Sequence, residues 1–176
     1  MTLTILQEPG DSADALALLR ARDEENFKIY PPEARFGIAA DRHAADGVLF
    51  LMARKAGVPI GCGALERYEG YGEMKSVFLL PSARGRRLGQ AIIRALEEAA
   101  RELGYDEVRL ETGIRSPWAI KTYERAGYAK CERFGDYPEE APLSVFMRKR
   151  LSPARPAIAA KSAVIHEHET TEGEQP

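Results

Sequence analysis

Cysteine is nearly absent from this chain: Cys62 and Cys131 are the only two in 176 residues. Two cysteines are too few for a disulfide framework, so an apolar core must hold the fold. Both thiols are expected to be reduced, as in a cytoplasm. Histidine is also scarce, with three residues. No His/Cys/Asp cluster shows ligand spacing, and His166-Glu167-His168 reads as part of a solvated tail, so no metal is expected. No apolar run approaches membrane-spanning length. Met1 to Gly10 lacks the basic start and long apolar stretch of a secretory signal. An excess of one charge is missing too. A net charge of −2 argues against an extended nucleic-acid or membrane surface.

What is present is a chain that is 44% hydrophobic and 30% charged, the composition of a globular domain with a real core. Residues 1–151 are expected to form that domain. From Ser152 the pattern dissolves: Pro153 and Pro156 lead into a run poor in aromatics that ends in repeated glutamates. Residues 152–176 therefore read as a disordered acidic tail. Within the domain, Thr2 to Leu6 reads as a strand. A helix opens at Asp11-Ser12-Ala13-Asp14, and its inner face is Ala15, Leu18, Leu19 and the stem of Arg22. The prolines in Phe27 to Glu33 favour a loop. Strands follow at Val48–Arg54, Ile60–Arg67 and Glu73–Leu80, joined by Gly-containing turns. After a long helix that stops at Gly104, Val108–Thr112 is a strand. Ser116-Pro117 reads as an N-cap and first helical position. Tyr128–Phe134 and Leu143–Arg150 close the domain as strands. The order fits an α+β sheet with helices on both faces.

The most informative stretch is Arg84-Gly85-Arg86-Arg87-Leu88-Gly89-Gln90. It joins the β-rich run Met74 to Leu80 to a helix whose apolar positions are Leu88, Ala91, Ile92, Ala95, Leu96, Ala99 and Leu103. Free N–H groups at a helix N-terminus, with arginines beside them, make an anion site for phosphate or pyrophosphate. The P-loop pattern is absent from the chain, and Gly-x-Gly-x-x-Gly is absent from this turn. The stretch resembles the acetyl-CoA motif of the GNAT acetyltransferase superfamily, Gln/Arg-x-x-Gly-x-Gly/Ala. Arg84 stands first and Gly89 last, while Arg87 replaces the middle glycine. A second block, Ser116-Pro117-Trp118-Ala119-Ile120-Lys121-Thr122-Tyr123 running on to Gly127-Tyr128, resembles the superfamily's Asn-x-x-Ala-x-x-x-Tyr block. Ser116 stands for the Asn.

The resemblance implies a GNAT-type mixed, mainly antiparallel sheet with a splayed strand pair, acetyl-CoA as co-substrate and transfer of its acetyl group to a primary amine. Backbone groups of Val77, Phe78 and Leu79 would meet the thioester and pantetheine. Arg84 to Gln90 would hold the pyrophosphate, and Ser116, Ala119 and Tyr123 would complete the cofactor site. Tyr123 matches the tyrosine that protonates the leaving thiolate. Free thiols have pKa values of about 8.5 and tyrosine about 10, so that transfer needs a tuned site. An alkyl ammonium of pKa ~10.4 is neutral in only about one molecule per thousand at pH 7. A carboxylate base is therefore expected, with Glu73 the first choice and Glu111 the second. Substrate contacts are expected from Tyr30, Glu33 and Arg35 on the early loop, and from Phe134, Tyr137 and Ser144 near the end. A contact from Arg35 would point to an acceptor carboxylate.

Three rivals stay open at this point. The chain could acetylate a protein or peptide, which needs an open groove. It could be a non-catalytic acyl-CoA sensor, an idea kept alive by Arg87 and Ser116. A nucleic-acid module built on Arg84, Arg86 and Arg87 is disfavoured by the net charge. The acceptor expected is a small-molecule amine. A homodimer through sheet or helices is common in the superfamily.

Overall fold

The computed structural model describes residues 2–85 and 87–152. Arg86 and most of the expected tail, residues 153–176, lie outside the described residues. Seven strands and three α-helices follow in the order β1 (Leu3–Gln7), α1 (Ala13–Ile29), β2 (Val48–Lys55), β3 (Val58–Tyr68), β4 (Tyr71–Leu79), α2 (Leu88–Glu102), β5 (Glu107–Gly113), α3 (Pro117–Arg125), β6 (Ala129–Lys130) and β7 (Ser144–Arg150). They build one sheet in the order β1-β2-β3-β4-β5-β7-β6, antiparallel except for the β4–β5 pair. Among the described residues no helix is long and apolar enough to cross a membrane.

Strand alternation places apolar residues on both faces of the sheet. In β2, Leu51 and Ala53 join a cluster with Ile92, Ile93, Leu96 and Ala100 of α2. Their neighbours Phe50 and Met52 join Ala15, Leu18 and Leu19 of α1 on the other face. Helices thus cover both faces. Ser12 caps α1, accepting from Ala15 N at 3.2 Å. The helix runs through Phe27 to Ile29, beyond its expected end. Tyr30 then turns extended, φ −119° and ψ 137°, because it precedes Pro31. The turn between β2 and β3 is Ala56-Gly57, with both φ values positive at 50° and 82°, the twist a two-residue hairpin requires.

Two features of β4 shape the site. It pairs with β5 only at Gly72–Val108, Glu73–Arg109 and Met74–Leu110, after which the strands part. Beyond that point β5 continues against β7 alone, to Gly113–Ser144. On its other side β4 carries a bulge. Ala64 pairs with Lys75 and Cys62 with Phe78, so Ser76 and Val77 oppose the single residue Gly63. Ser76 has φ 55°. The extra residue shifts the alternation: Met74 and Val77, three apart, pack against the same cluster on the α2 face. Gly63 is required by close approach, since a Cβ there would lie 2.8 Å from Leu96 Cδ1 and 3.0 Å from Ile92 Cγ2.

The strand expected at Tyr128–Phe134 shrinks to Ala129–Lys130. Cys131 still donates from its N–H to Phe146 O at 2.9 Å, and then the chain leaves the sheet. Phe134 packs edge-on against Tyr71, Tyr137 and Phe146. Burial of that ring in an aromatic cluster overrides the β-propensity of the run.

Candidate active site

The parting of β4 from β5 opens a cleft of about 1060 Å³. Val77, Phe78 and Leu79 line one wall, and Glu111, Thr112 and Gly113 line the opposite one. Arg84, Gly85, Arg87, Leu88, Gly89 and Gln90 edge it at the start of α2, while Ser116, Ala119 and Tyr123 come from α3 and the turn before it. Every described residue expected to hold the cofactor therefore borders one cleft.

At the Arg84–Gln90 turn the first hydrogen bond of α2 runs from Ala91 N to Arg87 O at 3.3 Å. The N–H groups of Leu88, Gly89 and Gln90 thus precede the helical ladder. Arg87 takes φ 58°, ψ 16°, the left-handed conformation that glycine adopts easily. An arginine does here what a glycine does in the motif it resembles. Arg84 is spent otherwise: its N–H donates to Pro81 O at 3.2 Å, and its side chain pairs with Glu25 at 2.7 Å and donates to Leu79 O at 3.1 Å. Both the N–H and the guanidinium of Arg84 thus have partners within the fold.

Tyr123 projects from α3 into the cleft and is buried against Tyr128, ring centroids 5.9 Å apart. Burial, with a smaller contribution from the Glu111 charge, pushes its phenol well above the usual tyrosine value. It therefore stays protonated through neutral pH. Ser116 stands at the N-cap of α3 with Pro117 at the first helical position, as expected, but its side chain makes no capping hydrogen bond. Its Oγ lies 2.8 Å from Tyr30 Oη, and Pro117 at the first helical position needs no N–H partner. Trp118, the sole tryptophan, is half-exposed on the rim of the cleft. The sequence offered no signal for it beyond its place in the second block.

The two carboxylates differ. Glu73 is 2% exposed and is not a lining residue. Its Oε1 accepts from Tyr137 Oη at 2.5 Å and pairs with Lys75 Nζ at 2.7 Å. A carboxylate so enclosed faces its partners, and Glu73, the first choice from sequence, is not on the cleft wall. Glu111 does line the cleft. Burial lifts its pKa above the usual carboxylate range, opposed by the hydrogen bond from Ser144 Oγ at 2.6 Å and by the charge of Lys75.

The remaining expected substrate contacts divide. Tyr30 and Arg35 line the cleft. Arg35 donates to Tyr30 O at 2.8 Å and lies 4.3 Å over the Phe27 ring, so no carboxylate neutralises it among the described residues. Glu33 is exposed, outside the lining. Phe134, Tyr137 and Ser144 are not lining residues either. They stand behind the wall, Tyr137 on Glu73, Ser144 on Glu111 and Phe134 in the aromatic cluster. Phe134 and Tyr137 lie on the excursion out of the sheet after β6, and Ser144 opens β7 opposite Gly113. Arg22 and Phe36 line the cleft and were not expected from sequence. Arg22 looked like one more aliphatic stem on a helix face.

Residues 13–128 match the model of the acetyltransferase (GNAT) family. The chain belongs to the GNAT acetyltransferase family. This acetyltransferase is 34% identical to an IAA acetyltransferase of Azospirillum brasilense over 85% of its length and 98% of that protein's. A crystal structure from Klebsiella pneumoniae, assigned to the acyl-CoA N-acyltransferases, is 36% identical and superposes with a TM-score of 0.70, over 86% of this chain and 99% of that one. The PaiA N-acetyltransferase of Thermoplasma acidophilum, solved in complex with coenzyme A, shares 16% identity but the same fold, with a TM-score of 0.67 over 85% and 99% of the two chains.

Past Met74, β4 has no strand beside it on the β5 side, which leaves backbone room for an amide-bearing arm. Gly89 is seated so that even a Cβ would make only ordinary contacts, 3.6 Å to Thr122 Cγ2 and 3.7 Å to Leu79 Cδ1.

Proposed function

We propose that this acetyltransferase moves the acetyl group of acetyl-CoA directly to a primary amine of a small molecule, with both substrates bound in the one cleft. The observation that carries the small-molecule reading is the latch over the acceptor end. Tyr30, just past α1, reaches across to Ser116 Oγ at 2.8 Å and sits so close over Gly113 that a Cβ there would fall 2.1 Å from its Oη. Arg115 adds a second tie, from Nη1 to Ile29 O at 2.8 Å. A roof tied down at two points suits a compact acceptor and disfavours an extended peptide.

Acetyl-CoA, when bound, supplies the activated acyl carbon. The N–H groups of Leu88, Gly89 and Gln90 and the positive end of α2 hold its pyrophosphate, and this remote anchoring positions the reactive end. The N–H of Val77, at the bulge, polarises the thioester carbonyl. Glu111 takes the proton from the acceptor ammonium, a task suited to a carboxylate whose pKa burial has raised. Tyr123, protonated at neutral pH, donates at the sulfur; its raised pKa works against that transfer, and burial of the leaving thiolate, which raises the thiol pKa in turn, works for it. Arg35 offers an uncompensated cation to an acceptor carboxylate, as in an amino acid.

The deciding experiment is acetyl-CoA-dependent thiol release across amino acids, other small amines, IAA (the compound in the Azospirillum relative's name) and short peptides. Release with a small amine that carries a carboxylate is the result expected. Turnover confined to peptides would overturn the small-molecule reading. Tight cofactor binding without any release would make the protein an acyl-CoA sensor.

A further inference from the structure

The bulge in β4 stands on a buried polar arrangement that no step above uses. Ser76, its first extra residue, is a non-glycine residue at φ 55°, a conformation that needs outside support. Arg22 of α1 donates from Nη1 to Ser76 Oγ. His43, on the 3₁₀ turn Ala40–Ala44, places Nε2 2.8 Å from the same oxygen. Its Nδ1 lies 3.0 Å from Ala39 O. A carbonyl only accepts, so Nδ1 carries the proton and, in the neutral ring, Nε2 accepts from the Ser76 hydroxyl. The Ser76 carbonyl accepts from Cys62 Sγ at 3.6 Å. Ser76 is thus held by α1, by the 3₁₀ turn and by β3 at once. Arg22 is 7% and His43 1% exposed. Asp23 fixes the other edge of the Arg22 guanidinium at 2.6 Å, and Phe50 meets the His43 ring edge-on at 5.8 Å.

We propose that Arg22, His43 and Ser76 form a clamp that sets the bulge and so aims the Val77 N–H at the thioester oxygen. The proposal rests on the reading of Val77 given above. The three are positioning residues: in this role they act through the backbone of the next residue. The chemistry accounts for the choice of side chains. A hydroxyl can accept from a guanidinium while donating to an imidazole, so one small residue joins two elements from opposite sides. The leverage is large, because a misplacement of about 1 Å at a reacting centre lowers rate by about a hundredfold.

The test reads the carbonyl directly. The stretch of [1-¹³C]acetyl-CoA bound to the full chain is followed by isotope-edited infrared spectroscopy, and affinity for CoA, which lacks the acetyl group, by quenching of Trp118. In the wild type the stretch is expected below its free value. Ser76→Gly tolerates the positive φ but removes the hydroxyl. It is expected to return the stretch toward the free value and to lower kcat at least about tenfold, with CoA affinity within about twofold. His43→Leu is expected to do the same, and His43→Gln, which keeps an acceptor, to restore most of the shift. A bound stretch unchanged in both Ser76→Gly and His43→Leu would overturn the clamp while leaving Val77 its role. A wild-type stretch equal to the free value would instead overturn the Val77 reading, and the clamp with it. Should His43→Leu fail to fold, Ser76→Gly decides alone.

Discussion

Glu111 and Tyr123 show how the same burial serves two opposite protonation states. Desolvation disfavours charge on either, so the carboxyl titrates high and the phenol stays neutral. For Glu111 the sign is definite. The base form exists above its raised pKa and is lost as pH falls through it. The acid limb of kcat/KM is therefore expected above the ordinary glutamate value of about 4.3. Glu111→Gln should abolish that limb and lower kcat by about a hundredfold or more. Stability runs the other way. A folded pKa raised above the unfolded one penalises the folded state as pH rises through that window, and the full penalty stands above it. The same variant is thus expected to raise the denaturation midpoint at pH 7.5, with a gain that shrinks toward pH 4. Tyr123→Phe is expected to lower kcat by about tenfold to a hundredfold, leaving Trp118 quenching by CoA unchanged. Equal loss of CoA affinity would mean that the tyrosine binds rather than donates.

Helix ends and turns hold most of what the site needs. The N-terminus of α2 depends on Arg87 in a left-handed conformation. Such a conformation is unfavourable by about 1–2 kcal/mol for a residue with a Cβ, against the entropy that glycine forfeits, about 0.5–1 kcal/mol. Arg87→Gly is therefore expected to stabilise the fold by about 0.5 kcal/mol in urea unfolding and to keep CoA affinity within a few-fold. The C-terminus of α3 leans on Lys149, which donates to Ala126 O at 2.7 Å and pairs with buried Glu97 of α2 at 2.8 Å. Lys149→Met would leave the Glu97 carboxylate with only Arg101 at 3.8 Å and the Tyr128 hydroxyl beside it among the described residues. Losses for breaking buried pairs run to about 3–5 kcal/mol. A partly exposed lysine should give about 2 kcal/mol, read as a lower urea midpoint at unchanged m-value. At the roof, Gly113→Ala would expel the Tyr30 ring. The acceptor KM is expected to rise at least about fivefold, with CoA binding intact.

For the molecule as a whole, one event generates the site: a sheet that pairs two parallel strands for three residues and then lets them part. Local chemistry made much of the frame readable from sequence. The Arg84–Gln90 turn, the apolar row of α2, the opening of α1 at Asp11-Ser12-Ala13-Asp14 and the glycine turns each follow from period, charge or backbone freedom. Those signals reach only a few residues along the chain, and for them that is enough. The second block led to Tyr123 in the same way. What required the folded chain was everything set by distant partners. The different surroundings of Glu73 and Glu111 depend on Tyr137 and Lys75 closing over one and Ser144 supporting the other. The detachment of Phe134 from the sheet depends on an aromatic cluster gathered from three segments. The Ser116 hydroxyl, at the N-cap of α3, serves Tyr30, 86 positions away, rather than the helix. His43, with no Cys or Ser near it in sequence, meets Ser76 33 positions on. Periodicity and capping are local properties of a polypeptide, whereas burial, desolvation and the meeting of side chains are products of tertiary packing.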